Sequence, residues 1–102
     1  MIKNAKISMH QINTVTGDLT GNSKKIKDCL KMDSNTNIDI SVFPETAITG
    51  YMCGSLFDKI DFIKNQLDKL NEIFEYYKIL KIKGVVIIGY VSFHGSFKIF
   101  II

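Results

Sequence analysis

Two short segments that are almost purely apolar, residues 38–43 and 85–91, constrain the fold of this chain more than any other feature. Such near-continuous apolar runs are typical of strands that are covered on both faces of a sheet. A third segment, residues 3–12, alternates Ile7 and Met9 with polar residues and predicts a further strand. Another apolar segment, at residues 97–102, predicts a fourth strand.

Helices are predicted between the first three strands. An apolar stripe recurs every three or four residues over positions 59–80, which is the period of a helix that packs on one face. Its members are Ile63, Leu67, Leu70, Phe74 and Tyr77. A shorter helix is predicted to end near residue 32, with Asp18 or Thr20 as its N-cap. The order β-α-β-α-β-β predicts a single α/β domain over residues 1–102, with helices packed on the sheet.

Composition excludes several classes of function. The chain has 102 residues, of which 46% are hydrophobic, so it is long and apolar enough to bury a core. All thirteen basic residues are lysines and most are scattered, which argues against the basic stripe of a nucleic-acid-binding protein. No segment approaches the roughly 20 apolar residues of a membrane span. We therefore expect neither nucleic acid nor a membrane as a partner.

The cysteines indicate a reducing compartment. The N-terminal residues lack the pattern of a signal peptide, so we expect a cytoplasmic protein in which Cys29 and Cys53 stay reduced. Together with His10 and His94 they show no metal-ligand spacing, and no metal site is predicted.

The chemistry of the chain is expected just after the second strand. Phe43 and Pro44 end that strand, and Glu45, one of only three glutamates, follows at once. Functional groups in α/β sheets lie just past the carboxyl ends of strands, and partial desolvation there would suit Glu45 to act as a general base. The residues alone favour a solvated turn glutamate over a catalytic one. Cys53 is either a partner of Glu45 or a local thiol.

Several short motifs of the chain occur in the same order as those of the nitrilase, or carbon-nitrogen hydrolase, superfamily and resemble them. Phe43-Pro44-Glu45 is followed by Gly50-Tyr51, and the first strand ends in Gln11-Ile12-Asn13. Residues 14–22, TVTGDLTGN, and residues 48–57, ITGYMCGSLF, resemble signatures of the glutaminase domain of glutamine-dependent NAD synthetases. The resemblance therefore implies an N-terminal part of that domain.

The resemblance also implies a fold and a mechanism. The fold is a four-layer α-β-β-α sandwich, and the active site is a Glu-Lys-Cys triad. In such a triad the glutamate takes the thiol proton, the cysteine forms a thioester with the amide carbon, and the lysine stabilises the oxyanion. Glu45 carries over as the general base. Tyr51 is either part of the substrate pocket or a packed loop tyrosine, and Asp18 and Asn22 are assigned to loop and helix-cap structure.

The lysine and the nucleophilic cysteine of the family lie on later strands than this chain contains. Lys98 comes too early for the lysine, and Cys53 matches a loop cysteine of the family. We therefore expect an incomplete domain that is inactive alone and holds no cofactor. The complete family protein is expected to hydrolyse glutamine, to use ATP and Mg²⁺ in a separate synthetase domain, and to be homo-oligomeric.

Two alternatives remain open. The chain is also compatible with a fragment of an amidase for small amides, or with a non-catalytic α/β module that binds a missing half or another partner. In a sandwich without its second sheet, residues 85–88 would place apolar groups on an uncovered face. We therefore expect the isolated chain to aggregate or to be molten, and residues 97–102 to form an exposed apolar strand edge.

Overall fold

The elements of the chain follow the predicted order. The computed structural model describes residues 4–51, 53–93 and 96–102. The elements are β1 (Ile7–Met9), α1 (Leu19–Ser34), β2 (Ile40–Val42), a short 3₁₀ helix (Gly54–Asp58), α2 (Ile60–Ile79), β3 (Val85–Val91) and β4 (Phe97–Ile101). The α/β class is therefore confirmed. The turn predicted at residues 94–96 lies largely outside the described residues.

The four strands form one sheet in the order β1-β2-β3-β4. β1 and β3 each pair with β2 in parallel, whereas β4 pairs with β3 in antiparallel orientation. Each parallel connection contains a helix, as parallel pairing of neighbouring strands requires. The carboxyl ends of β1, β2 and β3 therefore meet at one edge of the sheet, and Glu45 follows β2 at that edge.

Local chemistry sets the ends of α1. The carboxylate of Asp18 accepts a hydrogen bond of 2.9 Å from the Gly21 N–H, which makes Asp18 the N-cap rather than Thr20. The C-cap is Asn35, whose N–H donates to the carbonyl groups of Met32 and Asp33. The structure thus selects Asp18 from the two predicted N-caps, and the helix ends two residues beyond the predicted end.

The core lies between the helices and one face of the sheet. Its completely buried members come from both helices, the sheet and the turn after β2: Ile26 and Leu30 of α1, Ile73 of α2, Val86 and Ile88 of β3, and Ala47 and Ile48. The Phe74 ring of α2 packs edge-on against Phe100 of β4, with ring centroids 6.1 Å apart. Of the apolar stripe predicted for α2, Ile63 and Leu70 are buried and the other three members are half-buried, while the completely buried Ile73 lies beside the stripe.

The first two strands depart from the predicted pattern. β1 is shorter than residues 3–12, and its apolar side chains are exposed, Ile7 by 56% and Met9 by 79%. The second strand was predicted to be covered on both faces, but only Ser41 of β2 is buried. The reason is that both helices lie on the same face of the sheet, so the other face of β1 and β2 has no cover within the described residues.

The length and hydrophobicity of the two helices were compared with those of a membrane span. Within residues 4–51, 53–93 and 96–102, neither helix is long and apolar enough to cross a lipid bilayer.

Candidate active site

Glu45 lies where the sequence predicts it, just past the carboxyl end of β2. Pairing with β3 extends one residue beyond β2, because the Phe43 N–H donates to the Ile87 carbonyl at 2.9 Å. Pro44 has no N–H to continue the ladder, so the chain leaves the sheet there. An apolar cleft of about 200 Å³ lies beside this point, lined by six residues of β1, β2 and their carboxyl ends: Met9, His10, Gln11, Val42, Phe43 and Pro44.

The turn that begins at Glu45 is fixed from within. The Ala47 N–H donates to the Pro44 carbonyl at 3.2 Å, and the Gly50 N–H donates to the Thr46 carbonyl at 2.8 Å. Residues 47–49 are buried in the core, each by 99% or more. Glu45 therefore stands on a turn whose following residues are anchored, although the glutamate itself is exposed.

Asn22 joins residues 14–22 to this turn. Its side chain is completely buried, and its amide nitrogen donates to the Ile48 carbonyl at 2.9 Å and to the Val15 carbonyl at 2.8 Å. Its amide oxygen accepts from the Val15 N–H at 2.8 Å. Structural roles were predicted for Asp18 and Asn22 and both are confirmed, but Asn22 is a clamp between two loops rather than a cap.

Two glycines allow the loops to approach each other. Gly17 and Gly50 have positive φ angles of 78° and 82°, which side chains rarely tolerate. The Gly17 N–H donates to the Thr49 carbonyl at 2.8 Å. A Cβ on Gly50 would lie 2.7 Å from the Val15 carbonyl oxygen and 2.8 Å from the Thr16 Cα. Residues 14–22 and residues 48–57, which both carry the resemblance, therefore pack closely against each other.

Tyr51 lies at the outer end of the same turn. Its main-chain carbonyl accepts a hydrogen bond of 2.6 Å from the Thr16 hydroxyl, while its side chain is 71% exposed. The exposed ring is not a packed loop tyrosine within the described residues. Its place in a substrate pocket stays a prediction.

Neither cysteine is arranged as a nucleophile for Glu45. The buried Cys53 thiol donates to the Thr49 carbonyl at 3.1 Å, which is the contact of a local structural thiol. Partial burial, with Asp33 and Asp28 adding negative charge nearby, raises the pKa of the Cys29 thiol. Cys29 is therefore less reactive at neutral pH than a solvated thiol.

The exposure of Glu45 corrects one expectation. The sequence suggested that Phe43 and Pro44 would desolvate the carboxylate, but the glutamate is exposed while Phe43 is buried. The physical reason is that the turn directs Ala47 and Ile48, rather than Glu45, into the core. Glu45 as a general base stays a prediction.

The structure also contains a largely buried polar cluster that the sequence did not predict, formed by Asp33, Ser41, His10 and Ser8. The Asp33 carboxylate accepts from the Ser41 hydroxyl at 2.5 Å and contacts His10 Nε2 at 2.6 Å. The Ser8 hydroxyl also contacts His10 Nε2, at 3.1 Å. Because serine and aspartate meet the same ring nitrogen, the cluster lacks the relay geometry of a serine-histidine-aspartate triad. No sequence signal links Asp33 to His10, since 23 residues separate them.

Gly89 is a further residue that sequence reasoning missed. It lies inside β3, and a Cβ there would fall within 2.7 Å of three backbone atoms of Glu45. A signal was present, because a glycine within an apolar strand often marks a close approach of another backbone. Lys98, which was considered for the missing lysine, lies exposed on β4. The described residues contain no cluster of three or more His, Cys, Asp or Glu side chains that is fit to bind a metal ion.

Comparison with known proteins gives both sequence and structural relatives. No family model matches the chain. The glutamine-dependent NAD(+) synthetase of Thermotoga maritima is 26% identical over 91 residues, which is 89% of this chain. The chain spans only 16% of the length of that relative.

Solved structures share the fold over nearly the whole chain. A glutamine-dependent NAD(+) synthetase from Cytophaga hutchinsonii superposes with a TM-score of 0.79 at 24% identity, covering 95% of this chain and 16% of that one. An amidase from Nesterenkonia sp. superposes with a TM-score of 0.75 at 14% identity, covering 95% of this chain and 37% of the amidase. These findings confirm the resemblance seen in the motifs, to the N-terminal part of the glutaminase domain of glutamine-dependent NAD synthetase, and show that the amidase shares the fold.

Proposed function

We propose that this chain is the part of a carbon-nitrogen hydrolase domain that carries the general base, Glu45, and that the complete domain hydrolyses glutamine. The observation that supports this most is the construction of the Glu45 turn. An exposed carboxylate stands at the carboxyl end of a central strand, and the Gly17 N–H and the Asn22 side-chain amide hold the turn by donating to its main-chain carbonyls. Catalytic groups need this kind of rigid support.

The proposed mechanism follows from the triad that the resemblance implies. Glu45 accepts the proton of a cysteine thiol that the rest of the domain supplies, and the thiolate attacks the amide carbon of glutamine. A lysine stabilises the oxyanion, Glu45 passes the proton to the departing nitrogen, and ammonia leaves as the thioester forms. Glu45 then takes a proton from the water that releases glutamate. The ammonia serves the amidation step of NAD synthesis in a separate domain that uses ATP and Mg²⁺.

The chain alone is expected to be inactive. Neither Cys53, which is buried and donates to Thr49, nor Cys29, with its raised thiol pKa, is placed as the nucleophile. Purified residues 1–102 should therefore release no ammonia from glutamine. Ammonia release that Glu45→Gln abolishes would contradict this, because it would demonstrate a complete site within the chain.

The role of Glu45 is tested in a protein that contains the whole domain. If the coding DNA continues beyond residue 102 into a lysine, a cysteine and a Ser-Gly-Gly-x-Asp-Ser loop, that longer protein is the one to use. Otherwise residues 1–102 replace the matching segment of the Thermotoga maritima enzyme, giving a chimeric protein. Either protein is called the complete-domain protein below.

Glu45→Gln in the complete-domain protein should keep the fold and lower kcat for glutamine hydrolysis about 10²–10⁴-fold, the usual contribution of a general base. Glu75→Gln is the matched control, because Glu75 is an exposed glutamate of α2 whose ion pair within the described residues is with Lys78, at 3.1 Å. A loss of less than about tenfold for Glu45→Gln would return Glu45 to the role of a solvated turn residue.

The choice of amide is tested separately. Glutamine and a short aliphatic amide such as propionamide are compared by kcat/KM in the same protein. Preference for glutamine supports the synthetase assignment. Preference for propionamide would favour the amidase alternative, which the shared fold with the Nesterenkonia amidase also permits.

A further inference from the structure

Gly89 of β3 lies directly against the backbone of Glu45. A Cβ built on Gly89 would lie 2.3 Å from the carbonyl oxygen, 2.5 Å from the Cα and 2.7 Å from the carbonyl carbon of Glu45. Ordinary van der Waals contact begins at about 3.4 Å. All three neighbours are main-chain atoms, so no side-chain rotation relieves the contact. Only hydrogen at this position of β3 allows the Glu45 turn to sit where it does.

The turn has no room to move away from β3. On its other side the Ile48 carbonyl accepts from Asn22, and the Thr49 carbonyl accepts from the Gly17 N–H. Gly50 is packed equally tightly, since a Cβ there would lie 2.7 Å from the Val15 carbonyl oxygen. The Glu45 turn is therefore held between β3 and the segment of residues 15–22. A methyl group on Gly89 must displace the Glu45 main chain, break those hydrogen bonds, or distort β3.

We propose that Gly89 is a positioning residue for the catalytic base, setting where the Glu45 carboxylate stands relative to the thiol it deprotonates. The inference rests on the function proposed above and deepens it, because it names the contact that fixes the base. A displacement of about 1 Å at a catalytic group costs on the order of 10²-fold in rate. Gly89 touches no substrate in this role and acts only through Glu45.

Gly84 provides the matched control. It lies just before β3, and a Cβ on it would also meet main-chain atoms, 2.4 Å from the Ile38 carbonyl oxygen and 2.7 Å from that of Asp39. The two glycines are five residues apart, so roughly 16 Å of extended strand separates them. Alanine at either position strains β3 against the backbone of a neighbouring segment, but only alanine at 89 acts on Glu45.

The test compares Gly89→Ala and Gly84→Ala in the complete-domain protein. Both variants should lower the melting temperature. Gly89→Ala should also lower kcat for glutamine about 10²-fold with little change in KM, whereas folded Gly84→Ala should keep kcat. Hydrogen exchange should increase at the Ala47 and Gly50 amides in Gly89→Ala alone. A folded Gly89→Ala protein with unchanged kcat would overturn the inference, as would equal losses of kcat in the two variants.

A measurement on the unsubstituted protein covers the case in which Gly89→Ala does not fold. The contact predicts a strong nuclear Overhauser effect between the Gly89 and Glu45 Hα protons, and absence of that signal would overturn the inference. The outcome for Glu45→Gln separates the two claims. If that substitution leaves kcat unchanged, the proposed function and this inference both fail. If it lowers kcat while Gly89→Ala does not, the inference alone fails.

Discussion

The two faces of the sheet are built from similar residues and have opposite environments. On the helix-covered face, Val86 and Ile88 of β3 are completely buried, and Phe100 of the paired β4 packs on Phe74. On the other face, Val85 is 40% exposed and Ile99 is 69% exposed. The register aligns further apolar side chains on this second face, which we call the open face: Ile7, Met9, Ile40, Val42, Ile87 and Ile101.

The difference shows that the apolar pattern of a strand does not tell which of its faces is buried. Burial depends on the position of the strand in the sheet and on what packs against it. Val85–Val91 is apolar on both sides of its pleat, but on the side of Val85 and Ile87 it is buried only near its carboxyl end, at Gly89 and Val91. The four-layer sandwich that the resemblance implies would place a second sheet on the open face. The comparison can be tested by substitutions that are matched in chemistry and differ in face.

The largest effect is expected in the polar centre of the covered face. Asp33→Ala removes the acceptor shared by the Ser41 hydroxyl and His10 Nε2, and each buried polar group left without its partner costs about 1–3 kcal/mol. The free energy of unfolding, from urea titration of dilute protein, measures the loss. Asp28→Ala is the control on the same helix, since Asp28 is exposed and its pairing with Lys24 at 3.1 Å is worth less than about 1 kcal/mol. Equal losses in the free energy of unfolding for the two substitutions would show that the cluster does not stabilise the fold.

The next effect compares one isoleucine on each face. Ile88→Ala removes a completely buried side chain and should lower the free energy of unfolding by about 2–5 kcal/mol. Ile99→Ala, on the open face of the adjacent strand, should cost less than about 1 kcal/mol, mainly in strand propensity. Urea titration of both variants decides the point. A cost for Ile99→Ala as large as that for Ile88→Ala would mean that the open face is covered in solution.

The same contrast explains what the sequence could predict. The stripe on α2 and the run at residues 85–91 follow local periodicities, and both elements were predicted nearly to the residue. The face that the helices leave open, the contact of Gly89 with Glu45 and the cluster of Asp33 with His10 all depend on pairings between distant segments. Periodicity carries no information on such pairings. The position of Glu45 was predictable because Pro44 ends the strand next to it.

The substitution that we expect to change stability least, Ile99→Lys, should clearly change the self-association of the chain. The open face and the edge strand β4 together expose Phe97, Ile99 and Ile101 by 50–69%, and unpaired apolar edges are templates for pairing with other chains. We expect isolated residues 1–102 to associate, as sedimentation velocity would detect. Ile99→Lys places a charge at the centre of this surface and should shift the chain toward monomer while changing the free energy of unfolding by no more than about 0.5 kcal/mol.

The control for this prediction is Ile79→Lys, because Ile79 is 73% exposed at the end of α2 and lies on neither face of the sheet. Ile79→Lys introduces the same charge, so a general gain in solubility would shift both variants toward monomer. Association through the open face predicts that only Ile99→Lys shifts toward monomer. Amide exchange gives the second readout, since association through this face should protect β4 more at high than at low protein concentration. A monomer at all concentrations, with well-protected amides throughout Val85–Val91, would show that the sheet is stable with one face in water. The expectation that this segment needs a second sheet would then be wrong.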